Sequence, residues 1–142
     1  MSREIQQLSI FIIFFLLGCA VQGPVTGGQA DTKGPTLITV QPSNTSMNMD
    51  QEQKITLTFD ELLDPVSIPA SITIELDLDY KLKIRGRKLI IYPEKVWPED
   101  GIVRINISRN IRDYQKNIMS KPIQLIYSTG SEIPNGSIIG KI

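Results

Sequence analysis

Hydrophobic and polar residues alternate along several short segments of the chain, which is the pattern of β-strands with one buried face. In residues 54–60, the side chains of Ile55, Leu57 and Phe59 fall on one side and polar side chains fall on the other. The same period runs from residue 71 to residue 85 without a change of phase, and this stretch is too long for one ordinary strand. We therefore predict two strands that meet near residues 77–79, with a single bent strand as the alternative.

Four further segments predict the remaining strands: residues 37–41, 88–92, 102–108 and 123–128. Pro93 is expected to end the strand 88–92, because proline has no N–H for the ladder. Composition agrees, since 23 isoleucines stand against 3 alanines, and residues branched at Cβ suit a sheet. About seven short strands over roughly 95 residues match an all-β fold, an antiparallel sandwich of immunoglobulin-like size. No helix is required in this region.

The composition excludes most catalytic chemistry. The chain of 142 residues has no histidine and one cysteine, so Ser-His-Asp and Cys-His arrangements, Cys/His zinc sites and internal disulfides cannot be built. We predict no catalytic residue, no cofactor and no metal site, and we expect the protein not to be an enzyme. The 15 basic and 15 acidic residues balance, which gives no net attraction for nucleic acid.

The N-terminal segment predicts a lipid anchor. Residues 8–17 are almost entirely apolar and are followed by Gly18 and the single cysteine, Cys19. This order resembles a bacterial lipobox, in which the cysteine is acylated and becomes the first mature residue. The resemblance implies a signal peptide at residues 1–18 and a lipidated tether rich in glycine and proline at residues 19–36. An ordinary secretory signal and an uncleaved anchor helix are the alternatives.

Several later segments together resemble the bacterial Ig-like domain first described in S-layer proteins, in the form found in Bacteroidetes-type envelope lipoproteins. The matching segments are residues 24–28, 31–32, 35–37, 42–44, 55–61, 110–113, 117 and 127–130. The resemblance implies a small Ig-like antiparallel sandwich at residues 37–130, used as a spacer or interaction module, with no active site. Residues 131–142 would form a tail, or the first strand of a following domain that is cut short.

One position departs from the family pattern. Lys116 precedes Asn117 where the family usually has glycine. A lysine with positive φ would cost about 1 to 2 kcal/mol. We therefore expect either a differently arranged loop or Asn117 as the left-handed residue.

Three features carry a functional hypothesis beside a structural one. Trp97 is expected to cover one end of the sandwich, with a sugar-stacking platform as the alternative. The acidic residues at 60–64, 77 and 79 lack the spacing of a calcium loop, so Asp60 or Asp64 is expected to accept hydrogen bonds from nearby backbone N–H groups. A glycosidase pair is the least favoured role for these carboxylates.

Basic residues concentrate in one region, and they are Lys81, Lys83, Arg85, Arg87 and Lys88. The structural hypothesis is that they form the polar half of the alternation and prevent edge-to-edge pairing. The functional hypothesis is contact with anionic lipid headgroups, cell-wall polymer or an acidic partner.

These observations predict a lipid-anchored protein of the cell envelope with a non-catalytic Ig-like spacer or interaction module. The expected partners are the membrane, through lipid on Cys19, and an envelope protein or cell-wall component. Residues 20–22 lack an aspartate next to the cysteine, which by resemblance to known sorting favours the outer membrane, facing the periplasm. A ligand-binding module for glycan or calcium is the alternative function.

Overall fold

The computed structural model describes residues 27–75 and 78–134 and shows a two-sheet antiparallel β-fold. Its seven strands are β1 (Leu37–Gln41), β2 (Ile55–Phe59), β3 (Ile72–Ile74), β4 (Tyr80–Arg85), β5 (Lys88–Pro93), β6 (Ile102–Ile107) and β7 (Ile123–Ser128). Two short 3₁₀ turns, Pro65–Ser67 and Pro69–Ser71, precede β3. None of the helical segments in the described ranges is long and apolar enough to cross a bilayer.

The strands form one sheet of four and one sheet of three. The first has the order β1-β2-β5-β4, and the second has the order β3-β6-β7. Every pairing of neighbours is antiparallel. This is the all-β sandwich that the alternation predicts, and it leaves β1 and β4 at the two edges of the larger sheet.

A single hydrophobic core contains residues from both sheets. The burial of β2 follows the sequence pattern, since Ile55, Leu57 and Phe59 are fully buried and the threonines between them are half-buried. The strands β5, β6 and β7 contribute the facing apolar residues, which are Leu89, Ile91, Val103, Ile105, Ile107, Leu125 and Tyr127. Burial of this apolar surface is the main stabilising contribution to such a fold.

Most strand bounds agree with the prediction. The strands 37–41 and 123–128 have the predicted ends, and Pro93 is the last residue of β5. The long alternating stretch is two strands, β3 and β4, as predicted, and residues 76–77 between them lie outside the described residues. The two 3₁₀ turns at residues 65–71 are an addition that the alternation does not indicate.

The outer edge of β7 is covered by the chain near residue 44. The Asn44 side chain accepts a hydrogen bond from the Ile126 N–H at 2.8 Å and donates to the Gln124 carbonyl at 3.2 Å. The Thr45 N–H donates to the Ile126 carbonyl at 2.8 Å. This loop therefore satisfies strand groups that would otherwise be open to another chain.

The segment before β1 also contacts the domain. The Thr36 N–H donates to Asp60 Oδ1 at 2.7 Å, and Pro35 is buried. A Cβ atom at Gly34 would collide with the backbone of Ile118, so only glycine fits this approach. Residues 34–36, which the sequence analysis places in the tether, thus pack against the sandwich.

Candidate functional site

The predicted lipidation site lies outside the residues that the structure describes. Cys19, the apolar run 8–17 and most of the tether lie outside the described residues, as do residues 135–142. Lipidation of Cys19 therefore stays a prediction from the sequence.

The acidic residues after β2 are engaged in backbone hydrogen bonds. Asp60 holds the Thr36 N–H, and Asp64 Oδ1 accepts from the Val66 N–H at 3.1 Å, which caps the first 3₁₀ turn. This confirms the structural hypothesis for Asp64, whereas Asp60 accepts from a backbone N–H that is 24 positions away in sequence. Asp79 is exposed, and Asp77 is outside the described residues. Within the described ranges, no group of three acidic side chains is placed to hold a metal ion.

Asp64 also pairs with a residue far along the chain. The Lys116 ammonium lies 2.6 Å from Asp64 Oδ2. This hydrogen bond, followed by that of the Val66 N–H, lowers the pKa of Asp64 from its ordinary value. The Leu63–Asp113 bridge and the hydrogen bond from the Asp64 N–H to the Arg112 carbonyl at 2.8 Å join the same two loops. The acidic segment is thus fixed against residues 110–117.

The backbone at Lys116 has a φ of 73°. The expectation that the loop is rearranged or that Asn117 is the left-handed residue is therefore wrong. Lys116 itself takes the left-handed conformation, at a cost of about 1 to 2 kcal/mol. The hydrogen bond from Lys116 to Asp64 is formed in this conformation and offsets part of the cost.

The variants Lys116→Gly and Lys116→Ala separate these two effects. Both lose the ion pair with Asp64, and only the alanine variant retains a Cβ at positive φ. We expect Lys116→Gly to be more stable than Lys116→Ala by about 1 kcal/mol, measured by urea denaturation. An alanine variant as stable as the glycine variant would contradict the left-handed backbone.

Asp113 is a buried carboxylate with a structural role. Its Oδ1 accepts from the Asn117 N–H and its Oδ2 accepts from Asn117 Nδ2, both at 2.8 Å. Asn117 Nδ2 also donates to the Asp31 carbonyl at 3.1 Å. Asp113 and Asn117 lie in segments that resemble the bacterial Ig-like family, and that resemblance alone does not assign this role. The spacing of four residues within a loop is the signal that would have indicated it.

Three other carboxylates lie close enough to Glu61 to affect its ionisation. Burial, followed by the charges of Asp113, Asp60 and Asp31, raises the pKa of Glu61 from its ordinary value. These carboxylates lie where the segment before β1 meets the two loops. They make this end of the domain acidic, and the hydrogen bonds of Asp60 and Asp113 give those two residues a structural role.

Trp97 is fully buried. Its Nε1 donates to the Gln53 carbonyl at 2.8 Å, and its backbone N–H donates to the Gln51 carbonyl at 2.7 Å. The structural hypothesis is confirmed, and the sugar-stacking alternative is wrong because no face of the ring is accessible.

Tyr127 is also buried, and its hydroxyl donates to the Pro42 carbonyl at 3.0 Å. Burial raises the pKa of Tyr127 to about 12. The unfolded chain releases this proton near pH 10. The contribution to stability is therefore complete below pH 10 and is lost as the pH rises toward about 12.

The pH dependence of unfolding tests this role of Tyr127. Between pH 9 and pH 11.5, the wild type is expected to lose about 2 kcal/mol more stability than Tyr127→Phe, which has no proton to release. Urea denaturation at both pH values measures the difference. Tyr114→Phe is the matched control, because Tyr114 is 60% exposed, and it should follow the wild type. Equal losses in all three proteins would contradict the assignment.

The basic residues follow the exposed positions of an edge strand. Lys81, Lys83 and Arg85 alternate with half-buried residues along β4, which is an edge of the larger sheet. Arg87 lies in the turn after β4, and Lys88 begins β5. This confirms that these cations form the polar half of the alternation on a strand that needs protection from pairing.

Two of the surface depressions near the smaller sheet lack a carboxylate pair, whereas a third of about 330 Å³ is lined by both Asp100 and Glu132. One of about 370 Å³ is lined by Ser71, Thr73, Asn106 and Gln124, among others. Another of about 390 Å³ is lined by Asp64, Ser67 and Arg112, among others. Asp64 is the one carboxylate among the lining residues of the two depressions, so neither has the pair of acids that a glycosidase uses.

Comparison with known proteins agrees with the fold. The sequence model of a family described as bacterial Ig-like domain matches residues 31–129. The chain therefore belongs to the bacterial Ig-like domain family. Its matched region begins at Asp31 and includes the loops of Asp64, Asp113 and Asn117. A comparison with curated proteins gives no match.

Two solved structures are similar to this chain at low identity. An L,D-transpeptidase from Mycobacterium smegmatis has 14% identity and a TM-score of 0.51, over 68% of this chain and 40% of that chain. The S-layer protein rSbsC has 15% identity and a TM-score of 0.47, over 70% of this chain and 14% of that chain. The chain thus spans less than half the length of these structures, and the similarity to the transpeptidase is one of fold alone.

Proposed function

We propose that this chain is a lipid-anchored protein of the cell envelope, of the Bacteroidetes type, whose Ig-like domain is a non-catalytic spacer or interaction module. The family match over residues 31–129 supports the module. The order Leu17, Gly18, Cys19 at the end of an apolar run supports the anchor. The outer membrane, facing the periplasm, is the proposed location.

The observation that carries the non-catalytic role is the structural use of the residues that first suggested chemistry. Asp60 holds the Thr36 N–H, Asp64 caps a turn, and Trp97 is enclosed in the core. Each of these side chains stabilises the fold by a named contact. What the domain offers to a partner is therefore its surface and its rigidity.

The experiment is palmitate labelling with membrane fractionation in a Gram-negative host. The wild type is expected to carry label and to sediment with membranes, and Cys19→Ala is expected to lose the label. Ser9→Ala, a substitution within the apolar run, serves as the matched control and should keep it. A wild type without label, exported in soluble form like Cys19→Ala, would overturn the anchor and leave a secreted Ig-like domain.

Calcium binding remains a hypothesis from the acidic loops. A ligand bound only by the folded state must stabilise it. Addition of calcium should then raise the melting temperature, and an unchanged melting temperature at millimolar calcium would contradict this alternative.

A further inference from the structure

The outer face of the larger sheet is strongly basic. The register of β2, β4 and β5 places alternate residues of these strands on the same side, opposite the core. Five cations belong to this face or its margin, and they are Lys54, Lys81, Lys83, Arg85 and Lys88. The other outward positions of these strands hold threonine, isoleucine and tyrosine. No acidic residue occupies an outward position within the three strands, and the acids that flank the strand ends are Asp60, Asp79 and Glu94.

Most of these cations are free of acidic partners. Lys81 pairs with Glu94 at 3.1 Å. The other ion pairs found among residues 27–75 and 78–134 involve Arg104 and Lys116, on other parts of the domain. Lys54, Lys83, Arg85 and Lys88 are exposed. Four clustered charges without a counterion attract an anionic partner by their summed field.

The face is also concave at its centre. A depression of about 270 Å³ is lined by Lys54, Lys83, Arg85, Ile90 and Tyr92. Ile90 and Tyr92 are half-buried, whereas the three cations are exposed. The apolar side chains therefore lie lower in the depression, and the charged groups stand at its margin.

We propose that this face binds an anionic polysaccharide, with one carboxylated sugar unit seated in the depression. The volume is slightly below the range of pockets for drug-sized ligands, which begins at about 300 Å³, so it suits a single sugar unit. The apolar side chains contact the sugar, and the cations bind its anionic group. A flat bilayer would meet the lysines without reaching the half-buried Tyr92, which favours the polymer over a membrane surface.

Because it names the partner class, this inference rests on the proposed role as an interaction module. It is independent of lipidation, since the residues that carry it belong to the folded domain. Palmitate labelling of Cys19 and binding by the sheet face can therefore fail separately. A protein that carries palmitate but does not bind polymer would refute only the proposed binding by the sheet face. A protein that binds polymer but carries no palmitate would refute only the proposed lipidation of Cys19.

Binding of the full chain, purified in non-ionic detergent, to polygalacturonate tests the proposal. Neutral dextran is the control polymer, and the lipid arm is detergent-free flotation of the full chain carrying Cys19→Ala, which has no lipid anchor, with vesicles containing 30% phosphatidylglycerol. The double variant Lys83→Glu/Arg85→Glu is compared with Arg109→Glu/Lys121→Glu, which makes the same change of net charge at exposed positions outside this sheet. Circular dichroism checks that each variant is folded.

The wild type is expected to bind polygalacturonate and not dextran, with an affinity that falls as salt is added. The face variant should bind about tenfold or more weakly, and the control variant should stay within about twofold of the wild type. Absence of binding by the wild type would overturn the proposal. So would equal weakening in both variants, which indicates net charge alone, or binding to vesicles without binding to the polymer.

Discussion

Trp97→Ala is expected to lower the free energy of unfolding by about 3 to 5 kcal/mol, the largest effect of any single substitution considered for this domain. The Trp97 ring is fully buried, so its removal leaves a cavity in the core. The Gln53 carbonyl also loses the indole N–H, which lies 2.8 Å away, and the loss of this part-buried hydrogen bond adds to the cost.

Urea denaturation followed by far-ultraviolet circular dichroism measures this effect. Trp97→Phe restores part of the volume without the N–H and should fall between the wild type and the alanine variant. Tyr114→Ala removes a 60% exposed aromatic ring and should change stability by no more than about 0.5 kcal/mol. A Trp97→Ala variant as stable as Tyr114→Ala would contradict the structural role of the tryptophan.

Asp113→Ala is expected to cost about 2 to 4 kcal/mol, because two hydrogen bonds to a buried carboxylate are lost together. Asp113 is 1% exposed and holds both the backbone and the side chain of Asn117. Without it, the Asn117 side chain also loses its fixed position against the Asp31 carbonyl. The loop from residue 110 to residue 117 should then become mobile.

Thermal and urea denaturation of three variants test this expectation. Asp113→Asn keeps one acceptor oxygen and should cost less than the alanine variant. Asp79→Ala, at an exposed position, is the matched removal of a carboxylate and should stay within about 0.5 kcal/mol of the wild type. If Asp113→Ala and Asp79→Ala are equally stable, the hydrogen bonds of Asp113 do not contribute to the fold.

The strands could be predicted from the sequence because each has one buried face. In β2 the buried residues Ile55, Leu57 and Phe59 are separated by threonines, so the burial is visible as alternation along the chain. The end of β5 was also predictable, since Pro93 has no N–H for the ladder. Local pattern and tertiary structure agree in these elements.

The long-range polar contacts could not be predicted, because they join residues far apart in sequence. Lys116 and Asp64 are 52 positions apart, and their contact makes a left-handed lysine acceptable where local propensity argues against it. Asn44 covers the edge of β7 through residues 80 and 82 positions away. The residues next to each of these positions in the sequence do not indicate such a contact.

Some features of the candidate site could be predicted from the sequence, and others required the strand pairing. Trp97 and Asp64 could be assigned structural roles from their place beside turns and strands. The depression beside Tyr92 required the register of β4 and β5, which brings Lys83 opposite Ile90. The sequence showed the basic residues as a cluster, and only the pairing shows that Lys54 joins them at this depression.

Mass spectrometry of the mature N-terminus tests the anchored module most directly. The protein is extracted from the membranes of its host, and its N-terminal peptide is sequenced. The account predicts Cys19 as the first residue, carrying covalent lipid on its sulfur. A chain that begins at Met1, or at another residue with an unmodified Cys19 thiol, would contradict it.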